Sequence, residues 1–178
     1  MAQKDKRKNL ETTLKVVNRL NEEGIAAQLT VIGKVLDDNI KNMLDKSVYV
    51  SVIPFLKKDE LMNYYRQADV FIMPSFAETF GRVYAEAMTQ GLPVIYTRGQ
   101  GFDGIFADGV VGFSVKADDV EEIKEAVKKI MNNYHPISQN CIDNCNTFNW
   151  DKIAKKTEEL YFKALEGGQN EGSTSFIS

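Results

Sequence analysis

PSFAETFGRVYAEAM, residues 74–88, follows directly on the apolar run Val70-Phe71-Ile72-Met73. A short β-prone run comes first. Pro74-Ser75, a carboxylate at Glu78, a glycine at Gly81 and a helix-forming stretch over residues 82–90 follow. That order predicts strand, loop and helix start. In a parallel α/β sheet, ligands bind just beyond the carboxyl ends of the strands, where such loops lie. A helix start adds unpaired N–H groups and partial positive charge, which suit a phosphate. Gly81, Arg82 and Val83 are therefore expected to hold a diphosphate, with Glu78 and Glu86 holding sugars on either side of it.

The flanking sequence fits that frame. Leu10, Leu14, Val17 and Leu20 recur at helical spacing, with Asn9 as cap and Gly24 as stop. Residues 27–32 read as a buried strand, 37–46 as a short amphipathic helix, and 48–53 as a β-branched strand ended by Pro54. Residues 57–67 read as a helix with Leu61, Tyr64 and Tyr65 turned inward. Beyond the opening stretch, residues 93–96 predict a strand and 112–115 a short edge strand. Val120, Ile123, Val127 and Ile130 mark a helix face, a looser helix covers 137–146, and Trp150 opens the last helix.

Alternating strands and helices predict an α/β fold, a Rossmann-like three-layer sandwich with a mostly parallel sheet. No strand precedes the first helix, because MAQKDKR is too polar for one. In a doubly wound sheet that strand lies centrally, so it is expected ahead of Met1. Residues 1–166 form one expected domain, and 167–178 (GGQNEGSTSFIS) read as a disordered or tag-like tail.

Composition narrows the functions available. The chain has 178 residues, 43% hydrophobic and 26% charged, with a net charge of -3. No basic excess is available to bind nucleic acid by counterion release. The cluster Lys4, Lys6, Arg7 and Lys8 reads equally as a solvated tail or as phosphate contact through Lys8. No run is long and apolar enough to span a membrane, and the N-terminal residues lack the apolar core of a signal peptide. Cys141 and Cys145 are too few for a disulfide framework and read as reduced thiols. His135, beside Pro136 in an expected loop, is the only histidine, so a multi-histidine metal site is excluded within this chain. No nucleophile elbow of the G-x-S-x-G type is present.

Two other stretches compete for the site. Gly99-Gln100-Gly101-Phe102-Asp103-Gly104 is a literal G-x-G-x-x-G. A dinucleotide fingerprint needs a helix opening at once in the first strand–helix unit, and here Asp108-Gly109 follows instead. The stretch reads as a flexible loop at the carboxyl edge of the sheet. Tyr49, Phe55, Tyr64, Tyr65, Phe71, Phe76 and Phe80 read as core, with Phe76 and Phe80 open as a carbohydrate platform. On spacing alone, Glu86 also reads as a surface carboxylate and Glu78 as a dipole partner of the helix start.

The combined pattern resembles the C-terminal, nucleotide-sugar-binding domain of GT-B fold retaining glycosyltransferases, the large group called family four or group one. It stands here as Pro74-Ser75, Glu78, Phe80-Gly81, Glu86-Ala87 and Gly91-x-Pro93-Val94. Lys8-Asn9, Ala68-Asp69-Val70, Asp108-Gly109-x-x-Gly112-Phe113 and Phe148-x-Trp150 fit as well.

The resemblance implies that Glu86 bonds the ribose of a UDP- or GDP-sugar, and that Glu78, the catalytic candidate, contacts hydroxyls of the donor sugar. The N–H groups of Phe80, Gly81, Arg82 and Val83 would cradle the diphosphate, and Lys8 would neutralise it. The family carries an arginine shortly before that lysine; here the position is Gln3 or lies outside the chain. Ile53-Pro54-Phe55 would lie near the base. No Asp-x-Asp is present, so a metal-free donor site without other cofactors is expected.

An N-terminal acceptor-binding domain, absent from this chain, is the implied partner. The implied location is cytoplasmic, with room for peripheral membrane association of the full-length protein. The implied product is a cell-surface polysaccharide, lipid-linked glycan or glycolipid. A GT-B fold nucleotide-sugar epimerase and a non-catalytic Rossmann-like interaction domain are the alternatives.

Overall fold

A computed structural model describes residues 7–148 and 150–170. The chain divides into two compact units, Met1–Asp143 and Asn144–Ser178, each taken here by itself. The first contains α1 (Leu10–Glu22), β1 (Leu29–Ile32), α2 (Asp38–Asp45), β2 (Val50–Ile53), α3 (Lys58–Gln67) and β3 (Phe71–Ile72). It continues with α4 (Arg82–Met88), β4 (Val94–Thr97), β5 (Gly112–Val115), α5 (Val120–Asn132) and α6 (Tyr134–Asn144), whose last residue opens the second unit.

Every strand pair is parallel: α2 and α4 supply the crossovers for β1-β2 and β3-β4, and residues 98–111, without a helix, supply the one for β4-β5. The expected α/β class with Rossmann-like parallel pairing is what forms. Pairing falls into two sheets, β1-β2 and β3-β4-β5, where one is expected from the sequence. Among the described residues, β1 and β3 each pair along one edge only. β3 spans two residues because Val70 and Met73, expected in it, lie outside its ladder.

Strand β4 is buried at all four positions, as a strand covered on both faces must be. Successive side chains point to opposite faces. Ile95 joins Val16 and Leu20 of α1, Ile123 and Ile130 of α5 and Ile137 of α6 in one cluster. Tyr96 meets Tyr84 of α4 instead. Leu14 of α1 turns to a second cluster with Val31, Ile40 and Leu44. Serving two clusters, α1 buries Thr12, Thr13 and Val16 beyond the single face expected of it.

The aromatic residues depart from expectation. Phe55 is 84% exposed and Phe76 54%, and Phe80 and Tyr49 are also exposed. The buried aromatic stack is Tyr84, Tyr96 and Phe102, with Tyr84 and Tyr96 each 4.9 Å from the Phe102 ring. In α3 only Tyr65 is buried, with Leu61 and Tyr64 half-covered. His135 and Pro136 stand in the first turn of α6 rather than in a loop. Proline is tolerated there because first-turn N–H groups have no partner within the helix.

The second unit holds a 3-10 turn, Cys145–Phe148, and α7 (Trp150–Asn170). Helix α7 opens at Trp150 as expected and includes residues 167–170, which composition assigned to the tail. Residues 171–178 of that tail lie outside the described residues, as do Gln3, Lys4 and Lys6.

Candidate functional site

The 74–81 loop leaves β3 and is fastened on several sides. The Phe76 N–H donates to the Arg7 carbonyl at 2.8 Å, and the Thr97 hydroxyl donates to the Ser75 carbonyl at 2.8 Å. Tyr84 of α4 reaches back to donate to the Met73 carbonyl at 2.7 Å. Asn9 is buried and donates its side-chain amide to the carbonyls of Pro74 and Ala117. Its backbone is left-handed, φ 54° and ψ 45°, a conformation that asparagine tolerates better than most residues. This kink at the start of α1 presses the chain around Lys8 against the loop.

Lys8 and Glu78 meet as a result. The Lys8 ammonium lies 2.8 Å from Glu78 Oε2 and 3.2 Å from Met73 Sδ. The lysine side chain is 35% exposed and the glutamate 11%. Burial pushes the Glu78 carboxyl up. The hydrogen bond and charge of Lys8, the charge of Arg7 and the Thr79 N–H together outweigh burial, so the carboxyl sits below its ordinary value. Burial, and then the Glu78 charge, raises the neighbouring Tyr84 phenol.

Gly81 caps α4 at φ 72° and ψ 54°. A Cβ there would stand 2.4 Å from the Tyr84 ring, so both conformation and space require glycine. As in any helix, the N–H groups of Arg82 and Val83 have no acceptor within the first turn. No acidic residue occupies that turn. Glu86 lies one turn along and is half-buried. Its charge falls on Tyr65 of α3, whose phenol is pushed up to about 12 by burial first and by Glu86 second. Among the described residues no hydrogen bond or ion pair engages the Glu86 carboxylate.

The glycine-rich segment after β4 serves this loop. Gln100 Oε1 accepts from the Glu78 N–H at 2.9 Å, and the Gly101 N–H donates to the Glu78 carbonyl at 3.3 Å. A Cβ on Gly101 would lie 1.6 Å from the Thr79 carbonyl oxygen. Phe102 is fully buried. Through Gln100, Gly101 and Phe102 the segment braces the 74–81 loop, while Gly99 and Gly104 have open space beside them. Arg98 pairs with Glu122 at 2.5 Å and donates to the Ser114 carbonyl at 3.1 Å.

Of the residues singled out by sequence, Lys8 and Glu78 touch, and Phe80 to Val83 follow Glu78 closely in the chain. The charge of Glu86, farther along α4, reaches Tyr65 of α3. Asn9, Gln100 and Gly101 position the loop, a role that the sequence alone does not assign them. Only the Lys8-Asn9 adjacency gave any local sign of such a role. A cleft of about 400 Å³, lined by Asn9, Glu11, Asp37, Asn39 and Phe76 among others, opens beside the Lys8 segment. Among the described residues no three His, Cys, Asp or Glu side chains are grouped to hold a metal ion.

The parallel α/β pairing is that of a GT-B-type glycosyltransferase domain, and the family match carries the assignment. Residues 1–148 match the profile of the family described as glycosyl transferases group 1, and the chain belongs to that family. It is 27% identical over 158 residues to the D-inositol 3-phosphate glycosyltransferase of Paenarthrobacter aurescens (strain TC1), covering 84% of this chain and 39% of that protein. The chain thus spans well under half the length of that relative.

Among solved structures, sucrose-phosphate synthase from Thermosynechococcus elongatus superposes with a TM-score of 0.74 at 23% identity, over 90% of this chain and 43% of that one. HepE of Anabaena, solved in complex with UDP and glucose, gives 0.72 at 18% identity, over 87% of this chain and 45% of that one. At these identities the structures establish the fold.

Proposed function

We propose that this chain is the donor-binding part of a retaining glycosyltransferase. In this reading it grips a UDP- or GDP-sugar whose sugar passes to a glycan or lipid-linked acceptor, as in cell-surface polysaccharide synthesis. The observation that carries the reading is the braced Lys8–Glu78 pair beside the first turn of α4. Family membership and a fold neighbour that holds UDP and glucose support it.

Lys8 and the N–H groups of Phe80 to Val83 take the diphosphate, Glu86 takes the ribose, and Glu78 takes hydroxyls of the transferred sugar. As the glycosidic bond breaks, the sugar gains positive, oxocarbenium-like charge and the diphosphate gains negative charge. Donors fixed beside the departing diphosphate stabilise it more in the transition state than in the ground state. The leaving group is neutralised by the chain's own lysine and N–H groups, so no metal is assigned. The acceptor and the remaining catalytic groups come from a second domain across the donor cleft. Residues 1–166 act as one donor domain in this reading.

Calorimetric titration of UDP and GDP into wild type and Glu86→Ala tests it. One nucleotide is expected to bind, and the substitution to weaken it by about tenfold or more, the scale of a lost charge-assisted hydrogen bond. Absence of binding by either nucleotide, or an unchanged affinity in the variant, overturns the assignment.

A further inference from the structure

We propose that the Lys8–Glu78 pair makes the site discriminate between a nucleoside diphosphate that carries a sugar and one that does not. This rests on the donor-site reading above. In the free protein the Lys8 ammonium already has an anion, the Glu78 carboxylate at 2.8 Å. A diphosphate that recruits Lys8 must take it from Glu78.

What remains at Glu78 decides the outcome. Its side chain is largely covered by the loop, and without Lys8 it keeps the Thr79 N–H and the more distant charge of Arg7. A covered carboxylate stripped of its partner is costly, more so than the pair itself is stabilising. A bare diphosphate adds negative charge nearby and offers no proton donor. A donor sugar offers hydroxyl groups that replace the lysine at the carboxylate. The intact donor is therefore held with its carboxylate satisfied, and the spent nucleotide is held against an orphaned one. Binding energy that appears only while the sugar is attached favours release of the nucleotide after transfer.

Main-chain geometry confines the exchange to the side chains. The Arg7 carbonyl accepts from the Phe76 N–H, and the Asn9 amide donates to the Pro74 carbonyl. Lys8 is thus clamped on both sides, and the pair opens by rotation of its side chain rather than by separation of the two segments.

If Glu78 only added a sugar contact, removing its charge would leave UDP binding unchanged. The exchange requires the opposite, a gain. Isothermal titration of the full chain with UDP and UDP-glucose, run beside GDP and GDP-mannose because the base is open, separates the two. Wild type is expected to favour the nucleotide sugar over its bare nucleotide. Glu78→Gln, which keeps shape and removes charge, is expected to bind the bare nucleotide about tenfold more tightly and to lose that preference. Glu78→Asp, which shortens the reach to Lys8, should shift bare-nucleotide affinity in the same direction by less. If both variants leave it unchanged or weaken it, while Glu86→Ala still weakens it, the exchange is wrong and the donor-site reading stands. If wild type binds none of the four compounds, both fall.

Discussion

Helix α1 carries an ion pair at each end, and the two are built differently. At its carboxyl end, Glu23 meets Lys124 and Lys128 of α5. The Lys124 side chain is only 7% exposed and also meets Glu121, with Glu125 at 4.0 Å. At the amino end, the more exposed Lys8 has one carboxylate among the described residues, Glu78. The first arrangement saturates its ammonium with anions and ties two helices together. The second leaves an ammonium with a single partner at the mouth of a loop. Both are salt bridges, yet only the second can trade its partner for a ligand without dismantling the packing between α1 and α5. The number of anions around a lysine thus separates a fastening from a binding group more clearly than distance does.

The sharpest way to break this contrast touches neither pair directly. Gly101 backs the Thr79 carbonyl so closely that a Cβ would stand 1.6 Å from it. Backbone on one side and backbone on the other leave no side chain to give way. Gly101→Ala is expected to cost about 3 kcal/mol, the upper part of the usual overpacking range, measured by urea unfolding. It should also lower affinity for the nucleotide sugar, whose hydroxyl groups Glu78 takes, because Glu78 is bonded to residues 100 and 101. An alanine variant with wild-type stability would mean that the brace is not what places Glu78.

That brace shows where sequence reading works and where it stops. Strand β4 and the Val120–Asn132 helix were legible because an apolar run and a helical period are local signals. Lys8 and Glu78 were assigned to the same ligand on the strength of family resemblance. Their direct pairing, across 70 positions of chain, has no local signature. The left-handed Asn9 is equally silent, since asparagine before a helix reads as an ordinary cap. Phe102 sits among glycines that suggest an open loop, yet it is buried against Tyr84 and Tyr96. Phe55, taken as core, lies past the end of β2 where no element covers it among the described residues. Local propensity reports the backbone's tendency and not what packs against it.

A second test addresses the fastening. The Lys124 hydrogen bond is the largest influence on the Glu23 carboxyl, which with Lys128 is held down from 4.5 to about 2. A depressed carboxyl contributes stability above its unfolded value, and that contribution fades as pH falls through the folded one. Stability from this network should be complete above about pH 4.5 and decline toward pH 2. Lys124→Met should flatten that acid limb and lower thermal stability at neutral pH by less than Gly101→Ala does. Denaturation curves from pH 6 to pH 2 check both, and an acid limb unchanged in the variant would show that the network is not what loses stability there.

The smallest expected effect is the one that most sharpens the contrast. Glu78→Gln removes the carboxylate from the other pair, but Lys8 is exposed enough to be rehydrated. Partly exposed pairs contribute about 0–1 kcal/mol, so the substitution should change unfolding free energy by less than about 1 kcal/mol at neutral pH. The Glu78 carboxyl also sits below its ordinary value, because Lys8, Arg7 and the Thr79 N–H together outweigh burial. Whatever stability the pair adds is therefore present at neutral pH and lost on acidification, so wild type and variant should converge as pH falls. A residue whose charge hardly matters to unfolding but changes nucleotide affinity severalfold is placed for a ligand. A residue like Lys124, whose loss shows in unfolding and not in nucleotide affinity, is placed for the fold. If Glu78→Gln instead destabilised the chain as much as Gly101→Ala, the amino-terminal pair would be a second fastening, and the difference between the two ends of α1 would disappear.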